Sequence, residues 1–259
     1  MDPQSESNSF GVNLGYRNIS GPIEALKQLY DSMPETKGCD RCAAKYGEDE
    51  VDWCCKKNAP SMYYIEFLKI WWHVQEEWSD DDRVDLQLRA IRAYLTSKRP
   101  KGCVFYKDGC QIYGERPYAC RMYGLMPPET WTQRMESIED QQGKPYEGRP
   151  QCKLVKIKTK GVKSITQEMD DGWFDQIRHL ETRLGVRPQQ IILHDHAGGS
   201  YRSAHDHILI QCFNTEVLMR LTEVRLTRPS EDHISGFIEV LWDMMKENPD
   251  AGTGVIIGV

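Results

Sequence analysis

Residues 103–121 read CVFYKDGCQIYGERPYACR. Three cysteines, Cys103, Cys110 and Cys120, fall within eighteen residues, on chain rich in Gly, Lys and Asp. Buried structural cysteines do not favour such loops. Pro117 is suited to the turn that brings Cys120 back towards the other two. The next cysteines outward are Cys39-x2-Cys42 and the adjacent pair Cys54-Cys55 upstream, and Cys152 downstream. Eight of the nine cysteines therefore lie between positions 39 and 152, and Cys212 stands apart.

Thiolates are soft ligands, and four of them suit zinc or an iron–sulfur cluster. Cys39 and Cys42 have the spacing that lets one tight turn offer two sulfurs to one metal. The spacings lack the two similar knuckles of a zinc ribbon, and they miss the compact run of bacterial ferredoxins. The predicted ligands are thus Cys39, Cys42, Cys54, Cys55, Cys103, Cys110, Cys120 and Cys152. They supply two four-ligand sites, or one cluster with thiols to spare. The expected cofactor is an iron–sulfur cluster of the 4Fe-4S type, with zinc as the alternative.

The fold implied is α+β: an irregular, helix-rich domain built around a cysteine-ligated metal centre, with a few short strands. Residues 1–19 form a flexible arm, 20–160 the metal-binding domain, and 161–259 an α+β C-terminal region packed on it or continuous with it. Ser20-Gly21-Pro22 opens a helix, with Ser20 as its cap, that ends at Pro34. Ser61 to about Glu77 is helical and aromatic; Tyr64, Phe67, Leu68, Trp71, Trp72 and Trp78 make an apolar wall that packs in the core. Ser79 caps a helix whose first turn carries Asp80, Asp81 and Asp82 and whose apolar face runs through Val84, Leu88, Ile91 and Leu95. Further helices are predicted over 129–140, 171–184, 208–224 and 230–246. Strands are predicted at 154–158 and 190–194, and the tail 254–259 reads as a strand or docked segment.

The stretch CQIYGERPYACR resembles the C-x-I-Y-x-x-R-P-x-x-C-R signature of the YkgJ-type cysteine-cluster family, which is described as zinc- or iron-chelating. Cys103-Val-Phe fits the element that precedes it in that family. Cys39-x2-Cys42 with Cys54-Cys55 resembles the family's N-terminal element, and Tyr64-Ile-Glu66 its following apolar–acidic stretch. The gap of eleven residues between Cys42 and Cys54 is longer than the family's. The resemblance spans roughly residues 36–155 and implies a chelated metal. Flagellin lysine-N-methylase is similar to this family, which makes protein methyl transfer one implied activity.

Arg116 and Arg121 flank the last cysteine of the stretch. A cluster held by four thiolates is anionic, and nearby guanidinium groups would stabilise it, tune its potential or hold an anionic substrate. Five of the seven histidines lie in 194–233. His194-Asp-His196 and His205-Asp-His207 repeat one triplet eleven residues apart. On a strand each pair would share a face and chelate one ion, which defines a second candidate metal site: His194, His196, His205 and His207. Read instead as a polar loop, the same histidines cap helices or meet solvent, and His205-Asp206 just before Ile208 suits a helix start.

A net charge of −6 over 259 residues argues against a broad nucleic-acid-binding face. No run of residues is long and apolar enough for a membrane span, and the polar first ten residues lack a signal-peptide core, so the expected compartment is the cytoplasm. There is no Rossmann fingerprint, P-loop, nucleophile elbow or H-E-x-x-H. Three functions are consistent with these residues: an iron–sulfur redox enzyme or electron-transfer component, with a redox partner protein; an iron–sulfur-dependent transferase acting on a protein substrate; or a zinc-stabilised interaction module without catalysis.

Overall fold

The first helix, Ser20–Ser32 (α1), starts one residue earlier than a Ser20 cap requires. Ile19 holds the capping position without a side-chain bond, and Ser20 lies inside the first turn. The computed structural model describes residues 19–37, 53–57, 59–96, 102–142, 152, 155–162, 164–184 and 201–247. After α1 come the two-residue strand Thr36–Lys37 (β1), the single turn Trp53–Lys57 (α2) and the strand Ser61–Met62 (β2). Two long helices follow, Tyr64–Glu77 (α3) and Asp80–Leu95 (α4). A bent segment then leads to Tyr118–Arg121 (α5), Pro128–Gln142 (α6) and the strand Lys156–Ile157 (β3). The rest is Gln167–Arg183 (α7), the strand Arg202–Ser203 (β4), Ala204–Cys212 (α8), Thr215–Leu226 (α9) and Glu231–Glu247 (α10).

The architecture is helix-rich with a few short strands. β1 pairs antiparallel with β3 (Thr36 opposite Ile157), and β2 with β4 (Ser61 opposite Ser203). These ladders act as clasps between distant chain segments. The strand expected at 154–158 reduces to Lys156–Ile157 among the described residues, whereas 190–194 and 254–259 lie outside them.

Capping chemistry sets several boundaries. Ser79 accepts the Asp82 N–H at 3.2 Å, as the run of acidic residues predicts for the start of α4. One continuous helix over 208–224 is not what forms. The chain breaks at Phe213–Asn214, and the Asn214 side chain accepts the Val217 N–H at 3.0 Å. Asparagine at such a position closes one helix and opens the next more favourably than it continues a helix interior.

α4 is the central helix and packs against α8, α9 and α10. α3 lies against α1, α7 and α8. One core collects Leu26, Phe67, Ile70, Leu86, Ile91, Ile177, Ile208, Leu218 and Leu241, so residues on both sides of position 160 share it. Phe67 is fully buried and stacks between Trp71 and His207, with ring centroids at 5.7 and 5.1 Å. Most of the predicted aromatic wall is core, but Trp72 is 40% exposed. No helix among the described residues is long and apolar enough to cross a membrane.

Candidate metal centre

Loops and short turns deliver the sulfurs. Cys54 and Cys55 lie in α2, with their Sγ atoms 3.9 Å apart. Cys103 is held against that turn by its own N–H, which donates to the Cys55 carbonyl at 2.7 Å. Gly102 is required for this approach. A Cβ there would sit 2.7 Å from the Lys56 carbonyl oxygen and 3.1 Å from that of Cys55. Between Cys103 and Cys110 the chain reverses through Asp108 (φ 53°) and Gly109 (φ 143°), left-handed conformations that Asp tolerates and Gly adopts freely. Tyr106 and Cys110 then bridge as an antiparallel pair, while Val104 and Phe105 anchor the segment in the core.

Cys120 comes from α5, where its N–H donates to the Pro117 carbonyl at 3.0 Å. Cys152 packs on Gly124, whose φ of +85° excludes most side chains and whose added Cβ would meet the Cys152 carbonyl at 2.9 Å. Cys39 and Cys42 lie outside the described residues.

The thiols act on one another. Hydrogen bonds with Cys110 and then Cys54 push the Cys55 thiol far above the ordinary thiol range, and burial adds to the effect. Burial pushes Cys103 up to about 12; the charges of Cys110 and Cys54 act in the same direction, and Arg89 opposes them. Burial, followed by Cys103 and Cys110, also raises Cys120, with Arg116 opposing. Cys54, Cys55, Cys103, Cys110 and Cys120 therefore form one electrostatic group. Thiols raised in this way stay protonated at neutral pH unless a cation supplies the compensating charge, and a soft metal ion does so.

The donor type fits a thiolate-bound metal, and so does the closest spacing. Two sulfurs on one tetrahedral ion with bonds of about 2.3 Å lie about 3.8 Å apart. Among the described residues, no three or more His, Cys, Asp or Glu side chains are gathered closely enough to form an ion-binding group.

The two predicted arginines do different work. Arg116 stacks on the Tyr113 ring at 3.6 Å, and its charge opposes the burial that raises the Cys120 thiol. Arg121 instead clamps backbone: its Nη2 donates to the Gly114 carbonyl at 2.6 Å and its Nε to that of Arg116 at 2.8 Å. It also lies over the Tyr30 ring at 4.4 Å.

Sequence reasoning missed Arg89, because it lies on α4, well away from the cysteine motif along the chain. Its Nη1 reaches the Val104 carbonyl, and it pairs with Asp85 at 3.2 Å. Also missed was a buried polar group beside α5. Glu66 accepts the Tyr63 N–H at 2.9 Å, the Tyr118 N–H at 2.6 Å and the Tyr30 hydroxyl. Burial raises the Glu66 pKa, against the lowering effect of these three donors. The position of Glu66 three residues after the helix cap was the only local signal for this arrangement.

His205 and His207 do not share a face in the way the strand reading expects. His194 and His196 lie outside the described residues. His205 and His207 lie in α8, where residues two apart point about 200° from each other. His207 is fully buried, its Nε2 is 3.0 Å from the Met62 carbonyl, and burial lowers its pKa to about 4. His205 meets Ser203 at 3.2 Å and Asp206 at 3.3 Å at the start of the helix. Cys212, at the far end of α8, is buried, and burial alone raises its thiol. Compared with family models, curated proteins and solved structures, the chain matches none.

Proposed function

We propose that this chain is a cysteine-ligated metal-cluster protein, of the iron–sulfur 4Fe-4S class, that serves as an electron-transfer component or redox enzyme. The observation that carries this reading is the mutual influence of five thiols drawn from three separate segments, α2, the 102–110 reversal and α5. Five soft donors exceed the four of a closed structural zinc site. Guanidinium groups at Arg89 and Arg116 supply positive charge where an anionic thiolate cluster needs it.

A single zinc ion is the second reading, favoured by the 3.9 Å separation of the Cys54 and Cys55 sulfurs. In that case the centre is structural, and the protein is an interaction module.

Metal and acid-labile sulfide analysis on protein purified without oxygen, with an absorption spectrum of the same sample, separates the two readings. Iron and sulfide in comparable amounts with broad visible absorption that bleaches on dithionite titration support the redox reading. Stoichiometric zinc in a colourless, sulfide-free protein removes it. A protein that takes up neither metal removes both. Cys120→Ser lowers the metal content under either reading.

A further inference from the structure

The turn that carries Cys120 is not anchored by its cysteine. Its first N–H, that of Tyr118, is shared between Glu66 Oε1 at 2.6 Å and the Tyr30 hydroxyl oxygen at 3.1 Å. The Tyr30 hydroxyl donates to the same Glu66 oxygen. At the other end of the Tyr118 side chain, the hydroxyl donates to the Asp170 carboxylate and lies 3.0 Å from the Asp170 carbonyl. Glu66, Asp170, Tyr30 and Tyr118 are all buried, so each of these bonds is made in a low-dielectric surrounding where leaving a donor unmatched is costly. Three helices, α1, α3 and α7, thus hold one four-residue turn.

We propose that Glu66 is the positioning residue for Cys120: its carboxylate holds the backbone of α5 against α3 and so presents the Cys120 sulfur to the other thiols before any metal arrives. The inference rests on Cys120 being a ligand, as argued above. A site whose ligands are already placed loses less freedom on binding its ion, and outer-shell partners of this kind are typically worth roughly ten- to hundredfold in metal affinity.

The two oxygens of Glu66 have separate tasks, and this makes the role testable. Oε2 takes the Tyr63 N–H at the start of its own helix; Oε1 takes the Tyr118 N–H and the Tyr30 hydroxyl. Glu66→Gln keeps one oxygen, and it settles where two donors converge, so the bond to Tyr118 survives and the one to Tyr63 is lost. Glu66→Asp draws the carboxylate back by about 1.5 Å, one C–C bond, so the bond to Tyr118 is lost.

The experiment measures iodoacetamide alkylation of the reduced, metal-free chain, with Cys120 read against Cys103 in the same molecules by mass spectrometry. The Cys120-to-Cys103 ratio rises by roughly tenfold in Glu66→Asp and stays within about twofold of the parent in Glu66→Gln. Cobalt(II) titrations of the same proteins show roughly ten- to hundredfold weaker binding in Glu66→Asp alone. An unchanged ratio in Glu66→Asp, an equal change in both variants, or a parallel rise at Cys103 and Cys120 overturns the proposal, because a general loosening moves both thiols. If Glu66→Asp does not fold, amide hydrogen exchange of the parent chain is read in its place: a Tyr118 N–H held by buried Glu66 exchanges slowly in the metal-free protein, and one that exchanges as fast as an unprotected amide overturns the proposal. If the parent chain takes up no cobalt, the metal-centre reading falls, and the alkylation ratio still decides the role of Glu66.

Discussion

The cysteine region and the histidine region begin alike, as clusters of ligand-type residues close together in sequence, and end in opposite states. The cysteines sit on α2, on a reversal built from Asp108 and Gly109, and on the four-residue α5. None of these elements has enough regular structure to impose a periodicity on its side chains, so the sulfurs are free to meet. His205 and His207 sit on a regular helix, which turns them about 200° apart and directs His207 into the core against Phe67. Among the described residues, the thiols on irregular backbone come near enough to influence one another, whereas His205 and His207 on the helix point apart. His207 is paired with a carbonyl through Nε2 and stacked on an aromatic ring, whereas the thiols hydrogen-bond one another and raise one another's pKa.

The sharpest way to break this comparison is to exchange the effects. Cys55→Ser removes the sulfur that contacts both Cys54 and Cys110, and bound metal falls by more than the roughly ten- to hundredfold attached to an outer-shell partner. His207→Gln leaves metal content unchanged. Elemental analysis of both variants checks this, and equal losses would abolish the distinction between the two regions.

The histidine region responds to pH. The folded pKa of His207 is about 4, below the ordinary value of about 6.5. The unfolded chain therefore binds the extra proton first, so the stability contributed by the neutral ring is complete above about pH 6.5 and is lost as pH falls towards 4. The loss is about 3 kcal/mol over that window, at about 1.4 kcal/mol per pH unit. Denaturant unfolding between pH 7 and 5 shows the slope in the parent. His207→Gln, which keeps an amide donor for the Met62 carbonyl, flattens it while lowering stability throughout.

Gly102→Ala tests the cysteine region without touching a ligand. A methyl group 2.7 Å from the Lys56 carbonyl pushes α2 away from Cys103, at a cost of about 1–3 kcal/mol. Thermal melts record the loss, and a parallel fall in metal content would tie it to the centre. A normal melt and normal metal content would show that the two segments are not held in register by this contact. The smallest effect belongs to Cys212→Ser. Its thiol is buried at the end of α8, apart from the group of five, and its replacement leaves metal content unchanged. Metal loss in that variant would place Cys212 among the ligands and extend the centre into the histidine region.

Much of the local structure was legible in the residues themselves. Ser79 with its three aspartates marks the start of α4, and the spacing of Ile234, Leu241 and Met245 marks the buried face of α10, because caps and periodicity act over a few residues. Ser20 misled because a hydroxyl near a helix start competes with its neighbour for the capping position, and Ile19 took it. Of the four two-residue strands only Lys156–Ile157 was read, within 154–158; the other three were out of reach, since each exists only through a partner far along the chain, as with Ser61 and Ser203. Arg89 was missed for a similar reason: its link to the cysteine stretch is a bond from α4 to the Val104 carbonyl.

The sequence by itself determined the helix-rich character, the clustering of the cysteines along the chain and the loop that presents Cys103 and Cys110, all of which follow from residue type and short-range turn preferences. Tertiary structure alone decided which sulfurs meet, that His207 is core, and that Glu66 holds the turn bearing Cys120 from a position 52 residues away. These outcomes depend on how α1, α3, α4 and α7 pack, and packing is set by the shape and burial of the whole core, which no local stretch of residues encodes.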